Sequence, residues 1–237
     1  MNKEEFIKLT KELEIDFTEK QLRELEIYKN FLIEYNNHTN LTAIKDEPGI
    51  YLKHFYDSLT LYPYIKEKQK ILDIGTGAGF PGMVLAITCP EKNFILLDAN
   101  NKKINFLQEL QTKLQLTNIE CVHDRAENYV RNHREEFDAV TSRAVAELRI
   151  LTELSLPALK IGGIFLPMKS NIEEELENAK DTIELLNGKR INQVSFELPI
   201  EHSKRAILII EHSSKTDCLY PRTYDKILKK PLKKRNK

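Results

Sequence analysis

The sequence predicts an α/β fold in which a doubly wound, mostly parallel sheet follows an N-terminal helical extension. From residue 71 onward, short apolar runs alternate with amphipathic segments that are long enough to form helices. Before about residue 65 the apolar residues instead recur at helical spacing. Four of the eight glycines follow the first apolar run, where such folds form a ligand-binding loop: Gly75, Gly77, Gly79 and Gly82.

The first segment, residues 1–65, is predicted to consist of helices. Thr18 is the expected N-cap of the most regular helix, because a hydroxyl precedes the periodic residues. The apolar residues of that helix lie at helical spacing: Leu22, Leu25, Tyr28 and Leu32. This segment contains no strand-like run.

Residues 66–213 are predicted to form one Rossmann-like domain with a seven-stranded sheet, because strands that alternate with helices form right-handed βαβ units. Only a turn-length segment separates the last two runs, which predicts an antiparallel hairpin at one end of the sheet. The strand-like runs are KILDIG (70–75), NFILLD (93–98), NIECVH (118–123), FDAVTS (137–142), GGIFLPM (162–168), INQVSFELP (191–199) and KRAILIIEH (204–212).

The last segment, residues 214–237, is a basic C-terminal tail. Asp225 is the single acid among its final residues, whose cations are Lys226, Lys229, Lys230, Lys233, Lys234, Arg235 and Lys237. For the stretch YDKILKKPLKKRNK (224–237), two interpretations stay open: a solvated, frayed terminus, or a tail that contacts the phosphates of a nucleic acid.

Composition excludes several classes of function. Lys and Arg (36) balance Asp and Glu (36), so a nucleic acid would have to meet a local basic patch. The charged start and the lack of an apolar stretch of about 18 residues predict a soluble, cytoplasmic protein without a membrane span. Cys89, Cys121 and Cys218 lie far apart without paired spacing, so we expect neither a disulfide framework nor a metal site.

The glycine loop by itself is a weak indication of a dinucleotide ligand. Gly77, Gly79 and Gly82 satisfy the G-x-G-x-x-G pattern of dinucleotide sites. Pro81, expected as the first helical residue, offers no N–H to a pyrophosphate, which argues against a phosphate ligand there. Asp73 would suit a cationic ligand, although a carboxylate that braces the loop is an equally good interpretation.

Acidic residues at the next two strand ends extend this site. Asp98 closes the second strand, where an acid binds the ribose hydroxyls of either NAD or S-adenosylmethionine. After the third strand, Asp124, Ala126 and Glu127 are candidates to hold the adenine. Singly, Asp124 and Glu127 are better explained as surface acids; at successive strand ends they form a site.

Several motifs together resemble one family. The pattern D-x-G-x-G-x-G followed by an acidic strand end resembles the class I S-adenosylmethionine-dependent methyltransferases, and the terminal hairpin suits their seven-stranded sheet. More narrowly, the chain resembles the RsmG (GidB) family. The motifs that carry this resemblance are NLTAI (40–44), HFYDSL (54–59), DIGTGAGFPG (73–82), DRAE (124–127), SRA (142–144) and YPR (220–222).

The resemblance implies the activity and several site residues. It implies methylation of a guanine N7 in the helix 18 loop of 16S rRNA, in the small ribosomal subunit, with S-adenosylmethionine as cofactor. It places five residues at the cofactor: Gly75, Phe80, Ala126, Glu127 and Arg143. The tail after YPR lacks the family's Gly-x-Pro turn. The fold logic above adds Gly77, Gly79 and Asp98.

Guanine N7 already presents an unprotonated lone pair, so the predicted mechanism needs no general base. The histidines show no catalytic or metal-binding spacing: His38, His54, His123, His133, His202 and His212. Catalysis would then depend on holding the methyl group close to N7 and on excluding water.

Arg143, just past the fourth strand, is the candidate positioning residue for the base, a phosphate or the cofactor's carboxylate; a structural ion pair is the alternative. Lys169 and Arg222 are candidate substrate-binding residues, with a surface lysine as the alternative for Lys169. Phe80 and Tyr220 are aromatic candidates for stacking on an extruded base, although packing is the better explanation of Tyr220.

Three other functions stay open. A methyltransferase of the same fold could act on a protein or small molecule, a non-catalytic RNA-binding factor could keep the adenosyl pocket, and an NAD-dependent oxidoreductase would need a hydride-transfer site. We expect the protein to act as a monomer.

Overall fold

A computed structural model describes residues 1–143, 146–170 and 172–233. Four residues named above lie outside these ranges: Ala144, the last residue of SRA, and Lys234, Arg235 and Lys237 of the tail.

The centre of the fold is a seven-stranded sheet with the order β3-β2-β1-β4-β5-β7-β6. The strands are β1 (Lys70–Ile74), β2 (Asn93–Asp98), β3 (Ile119–His123), β4 (Phe137–Arg143), β5 (Leu159–Lys169), β6 (Gly188–Glu197) and β7 (Lys204–His212). Strands β1 to β5 are parallel, and β7 runs antiparallel to both β5 and β6. The predicted α/β fold and its terminal hairpin are therefore confirmed.

Helices cover both faces of the sheet. They are α1 (Lys3–Thr10), α2 (Glu19–Thr39), α3 (a continuous helical stretch at 47–59), α4 (Tyr62–Ile65), α5 (Gly82–Thr88), α6 (Asn101–Leu114), α7 (Ala126–Asn132), α8 (Leu148–Ser155), α9 (Glu173–Leu185) and α10 (Tyr224–Lys229). One apolar cluster joins α1, α2, α5 and α6 to the sheet, and a second joins α7, α8 and α9 to its other face.

The N-terminal helices are fastened to the glycine loop. Thr18 caps α2 as predicted, because its Oγ1 accepts from the Gln21 N–H at 3.2 Å. Gln21 Nε2 donates to the carbonyls of Ile87 and Thr88 at the end of α5. The fully buried Tyr28 donates its hydroxyl to the carbonyl of Ala78 within the loop. The division at residue 65 stays a prediction, while these contacts make the extension part of the site's support.

The helix after the glycine loop starts one residue later than predicted. Pro81 is the N-cap, and α5 begins at Gly82. Asp73 Oδ2 accepts the Gly82 N–H at 2.9 Å, so a carboxylate already satisfies the first free donor of the helix. This bond makes Asp73 a brace between β1 and α5.

Candidate cofactor and substrate site

A cavity of about 500 Å³ opens at the carboxyl edge of β1, β2 and β4, within the size range of small-molecule sites. Its walls come from the glycine loop, the ends of β2 and β4 and the start of α7. The N-terminal helical segment adds Thr42 and His54, and the C-terminal segment adds Tyr224. Its lining includes Thr42, His54, Gly75, Gly77, Phe80, Asp98, Lys103, Asp124, Ala126, Glu127, Arg143, Leu154 and Tyr224. Most of the predicted cofactor residues therefore share one cavity.

The glycines have two different functions in this loop. Gly75 and Gly77 line the cavity with φ of 70° and 64°, a conformation that glycine adopts at little cost. Gly79 is absent from the lining, although we predicted that it contacts the cofactor. A Cβ on Gly79 would lie 2.7 Å from both Tyr28 Oη and Met83 Cβ, so this glycine serves close packing. Gly82 is likewise packed, against Leu96 and Asp73.

Asp98 stands at the end of β2 with its carboxylate held by backbone donors. Its Oδ2 accepts from the Gly77 N–H at 2.9 Å and its Oδ1 accepts from the Asn100 N–H at 2.8 Å. Lys103 Nζ lies 3.7 Å from Oδ2. Each carboxylate oxygen has two lone pairs, so Asp98 can still accept bonds from ribose hydroxyls.

The cavity's far end is formed by the start of α7. Asp124, Ala126 and Glu127 all line it, and their contact with an adenine stays a prediction. Glu127 is buried, and its Oε1 accepts from Arg125 Nε at 2.6 Å. Small apolar residues, Ala99 and Ala126, lie beside these acids, which suits a flat ring with polar edges.

Asp73 does not reach the cavity. Its side chain is fully buried, and burial raises the pKa of this carboxyl to about 6. The geometry therefore favours the loop-bracing interpretation of Asp73 over the interpretation in which it faces a cationic ligand.

Arg143 is held at the carboxyl edge by three partners. Its Nη1 donates to the Lys53 carbonyl at 2.7 Å and pairs with Asp57 Oδ2 at 3.2 Å, while Nη2 lies 3.1 Å from His54 Nδ1. The guanidinium also lies 5.0 Å from the centroid of the Phe80 ring. Asp57 in turn accepts from Arg205 Nε at 3.2 Å, so one buried carboxylate joins two arginines.

His54 is a site residue that spacing alone did not reveal. Burial, with the nearby Arg143 charge, lowers the pKa of His54 to about 3, so the ring is neutral. Because Arg143 can only donate, Nδ1 accepts and Nε2 carries the proton toward Thr42 Oγ1 at 2.9 Å. The sequence did contain one indication of this role, because Thr42 belongs to the motif NLTAI and His54 to the motif HFYDSL. The hydrogen bond between these two residues joins the motifs.

Phe80 lines the cavity as part of a stack of rings. Its ring is stacked with His54 at 4.1 Å and with Tyr28 at 5.5 Å between centroids. Phe80 is only 5% exposed. It is therefore a wall of the site, and its predicted stacking on an extruded base has no support in this geometry.

A second cavity of about 640 Å³ adjoins the first and shares His54 and Arg143 with it. Its lining is rich in cations but also contains acids: Lys53, Asp57, Lys169, Glu175 and Arg205. Arg143 thus stands at the junction of the two cavities.

Lys169 and Arg222 are both committed to internal partners. Lys169 lines the second cavity with a side chain that is only 8% exposed, and its Nζ pairs with Glu175 Oε2 at 2.8 Å. Arg222 lies outside both cavities and pairs with the buried Glu153 through Nε at 2.8 Å and Nη2 at 2.7 Å. That Lys169 and Arg222 contact a substrate stays a prediction, whereas their ion pairs with Glu175 and Glu153 are present in the structure.

Neither a metal site nor a membrane helix is present in the part of the chain that the structure describes. Within residues 1–143, 146–170 and 172–233, no three His, Cys, Asp or Glu side chains converge as metal ligands would. None of the helices described in those ranges is both long and apolar enough to cross a membrane.

The family model described as rRNA small subunit methyltransferase G, GidB, matches residues 21–205. The chain belongs to the GidB family. The predicted resemblance is thereby confirmed.

Named relatives extend the match to nearly the whole chain. A ribosomal RNA small subunit methyltransferase G of Oceanobacillus iheyensis is 44% identical over 237 residues, covering 98% of this chain and 100% of the relative. One from Fusobacterium nucleatum is 40% identical and covers 93% of this chain and 95% of its own.

Solved structures support the fold of the GidB chain. A SAM-dependent methyltransferase from Aquifex aeolicus superposes with a TM-score of 0.55 at 16% identity, covering 72% of this chain and 96% of its own. M. jannaschii TYW2 in complex with AdoMet gives a TM-score of 0.51 at 16% identity, covering 61% and 68%.

Proposed function

We propose that this protein transfers the methyl group of S-adenosylmethionine to a guanine N7 of 16S ribosomal RNA, in the helix 18 loop of the small subunit. The observation that carries the proposal is the junction at Arg143, where an adenosyl-type cavity meets a second, cation-rich cavity in a GidB-family chain. Family membership supports the RNA substrate, and the two cavities would give the cofactor and the target separate places.

The residues of the first cavity fit an adenosyl group. Asp98 offers acceptors for ribose hydroxyls, and Ala126 with Glu127 offers a small wall and a polar edge for adenine. The backbone at Gly77 leaves room for a ligand. A Cβ added to this residue would have the Gly75 carbonyl oxygen as its nearest neighbour, 3.9 Å away. S-adenosylmethionine supplies a methyl group on a sulfonium, which a neutral nitrogen can take by in-line displacement.

The protein's contribution to that step would be positioning. Guanine N7 needs no proton removed, and His54 is neutral and bonded on both nitrogens, which suits a positioning network rather than a base. Arg143 lines both cavities, and a guanidinium there can donate to guanine O6 or to a phosphate. The stacked rings of Phe80, His54 and Tyr28 would also exclude water from the place where the methyl group is transferred.

The target side would be the second cavity. Its lining has four cations, Lys53, Arg143, Lys169 and Arg205, against the two acids Asp57 and Glu175, and this net positive charge suits RNA phosphates. The whole protein has no excess of basic residues, so this local concentration would have to supply the attraction. We also propose that the protein works in the cytoplasm as a monomer.

Methyl transfer from labelled S-adenosylmethionine tests the proposal. Small ribosomal subunits and free 16S rRNA from cells that lack this protein are the substrates, and mass spectrometry maps the modified nucleotide. We expect one N7-methylguanine in 16S rRNA. Label in a protein or metabolite with none in the RNA would contradict it.

A matched control uses RNA from cells that contain the protein. Because its target position is already modified, that RNA should accept little additional label. Equal labelling of both RNA preparations would show that the enzyme acts at a site other than the natural one.

A further inference from the structure

The C-terminal segment is held against the body of the protein from Thr216 to Pro221. Arg134 donates from its guanidinium to the carbonyls of Thr216, Asp217 and Tyr220, and Arg131 Nε donates to the Pro221 carbonyl at 3.0 Å. These contacts fix the backbone immediately before α10. The chain that leads into α10 is therefore fixed to α7, while the state of the basic residues at the end of the tail stays a prediction.

A buried ion pair fixes the entry to α10. Glu153, on α8, is 1% exposed and accepts from both the backbone N–H and the guanidinium of Arg222. Arg222 Nη1 also donates to the Lys230 carbonyl at the end of α10 at 2.8 Å. A bidentate arginine on a buried carboxylate sets direction as well as position, so α10 is held at both ends.

This anchoring brings Tyr224, the first residue of α10, to the cofactor cavity. Tyr224 lines the cavity together with Asp124, Ala126 and Glu127. The Arg125 guanidinium lies 4.8 Å from the centroid of the Tyr224 ring, and Arg125 Nε is itself held by Glu127. Arg125 covers one face of the ring and fixes its place beside the start of α7.

We propose that Tyr224 is a cofactor-binding residue whose ring contacts the adenine of an adenosyl ligand. Of the cavity's walls, the one at the start of α7 combines an aromatic ring, a small alanine and an acid, and this combination matches a flat, polar-edged base. The inference rests on the proposed function in one respect, because it assumes that the first cavity takes an adenosyl group. It makes α10 part of the cofactor site, leaving residues beyond it for any contact with RNA.

Calorimetry with S-adenosylhomocysteine and with 5′-methylthioadenosine tests the placement. Loss of a stacked aromatic costs about tenfold in affinity, so Tyr224→Ala should raise the Kd by about that factor. Tyr224→Phe should bind like the wild type, because the ring is kept. The Kd should rise by the same factor for both ligands. They share the adenine, and the amino-acid part that only S-adenosylhomocysteine has is remote from it.

Leu228→Ala is the matched control, because Leu228 lies on the same helix and is 43% exposed. It should leave both Kd values unchanged. A second measurement needs no variant: amide hydrogen exchange of residues 224–229 in the wild type should slow when S-adenosylhomocysteine is added.

The outcomes separate the two proposals. A wild-type protein that binds neither ligand would contradict the proposed function itself. A wild type that binds, with an unchanged Kd in Tyr224→Ala or unchanged exchange in α10, would overturn only the assignment of Tyr224.

Discussion

Arg143 and Asp57, 86 residues apart in the chain, form a buried ion pair of 3.2 Å at the junction of the two cavities. Asp57 belongs to α3 of the N-terminal extension, and Arg143 ends β4. The extension thus supplies the group that orients the arginine of the α/β domain. Arg205 pairs with the same carboxylate. Removal of the Asp57 charge would therefore leave two partly buried arginines without this acidic partner.

Asp57→Asn should destabilise the fold by about 3 kcal/mol, because removing one member of a buried pair leaves the other charge uncompensated. Urea unfolding measures this. The matched control is Glu19→Gln, which makes the same change in an exposed pair with Arg23 and should cost less than about 1 kcal/mol. Similar losses in both variants would contradict a special role for the Asp57 pair.

His54→Gln should change how stability depends on pH. The depressed pKa of His54 means that the unfolded chain binds a proton below pH 6.5 while the folded protein does not until about pH 3. Wild-type stability from this group is complete above pH 6.5 and falls with acidification. The stability advantage of wild type over His54→Gln should therefore shrink by about 2 kcal/mol between pH 6.5 and 5, measured by urea unfolding.

Asp73→Asn should show a pH effect of the opposite sign. The raised pKa of Asp73 means that the folded protein takes up a proton near pH 6, whereas the unfolded chain does so near pH 3.8. Stability from this carboxyl rises as pH falls through that window. The stability of Asp73→Asn relative to wild type should thus fall by about 2 kcal/mol from pH 7 to pH 4. A constant difference across the same urea series would contradict the raised pKa.

Two glycine variants should separate ligand contact from packing. In Gly77→Ala the added Cβ meets open space, so only the positive φ costs stability, by about 1–2 kcal/mol. Because Gly77 lines the cavity, we expect the methyl group to take up ligand space and to raise the Kd for S-adenosylhomocysteine by about tenfold. Gly79→Ala should instead lose about 3 kcal/mol of stability, because three heavy atoms lie within 3 Å of its Cβ. Thermal unfolding and calorimetry, compared for the two variants, would reveal a reversed pattern if these roles were exchanged.

Deletion of residues 233–237 tests the phosphate-contacting tail, because it keeps Tyr224, Arg222 and the partly buried Leu232. It removes Lys233, Lys234, Arg235 and Lys237. If these cations bind phosphates, the slope of log K against log salt for 16S rRNA should become shallower by about 1 for each phosphate that the shortened chain no longer binds. The Kd for S-adenosylhomocysteine should not change. An unaltered salt dependence would exclude the RNA contact.

The sequence by itself determined the fold class, the succession of strands and helices along the chain and most of the glycine loop that we propose to bind the cofactor. Local patterns were sufficient to predict these features, because each depends on residues that are neighbours in the chain. This holds for the strand runs, the Thr18 cap and the positions of Gly75, Gly77 and Asp98. The motifs also determined the family, and those around His54 and Asp57 marked the network without giving its geometry.

Only the tertiary structure decided what these side chains touch. Gly79 and Gly82 match the same pattern as Gly77, but Tyr28, Leu96 and Asp73 turn them into packing positions. Lys169 and Arg222 were expected at the substrate, and Glu175 and Glu153 hold them internally. Burial and long-range pairing decide such outcomes, because the free energy of a charged group depends on partners that folding brings from distant parts of the chain.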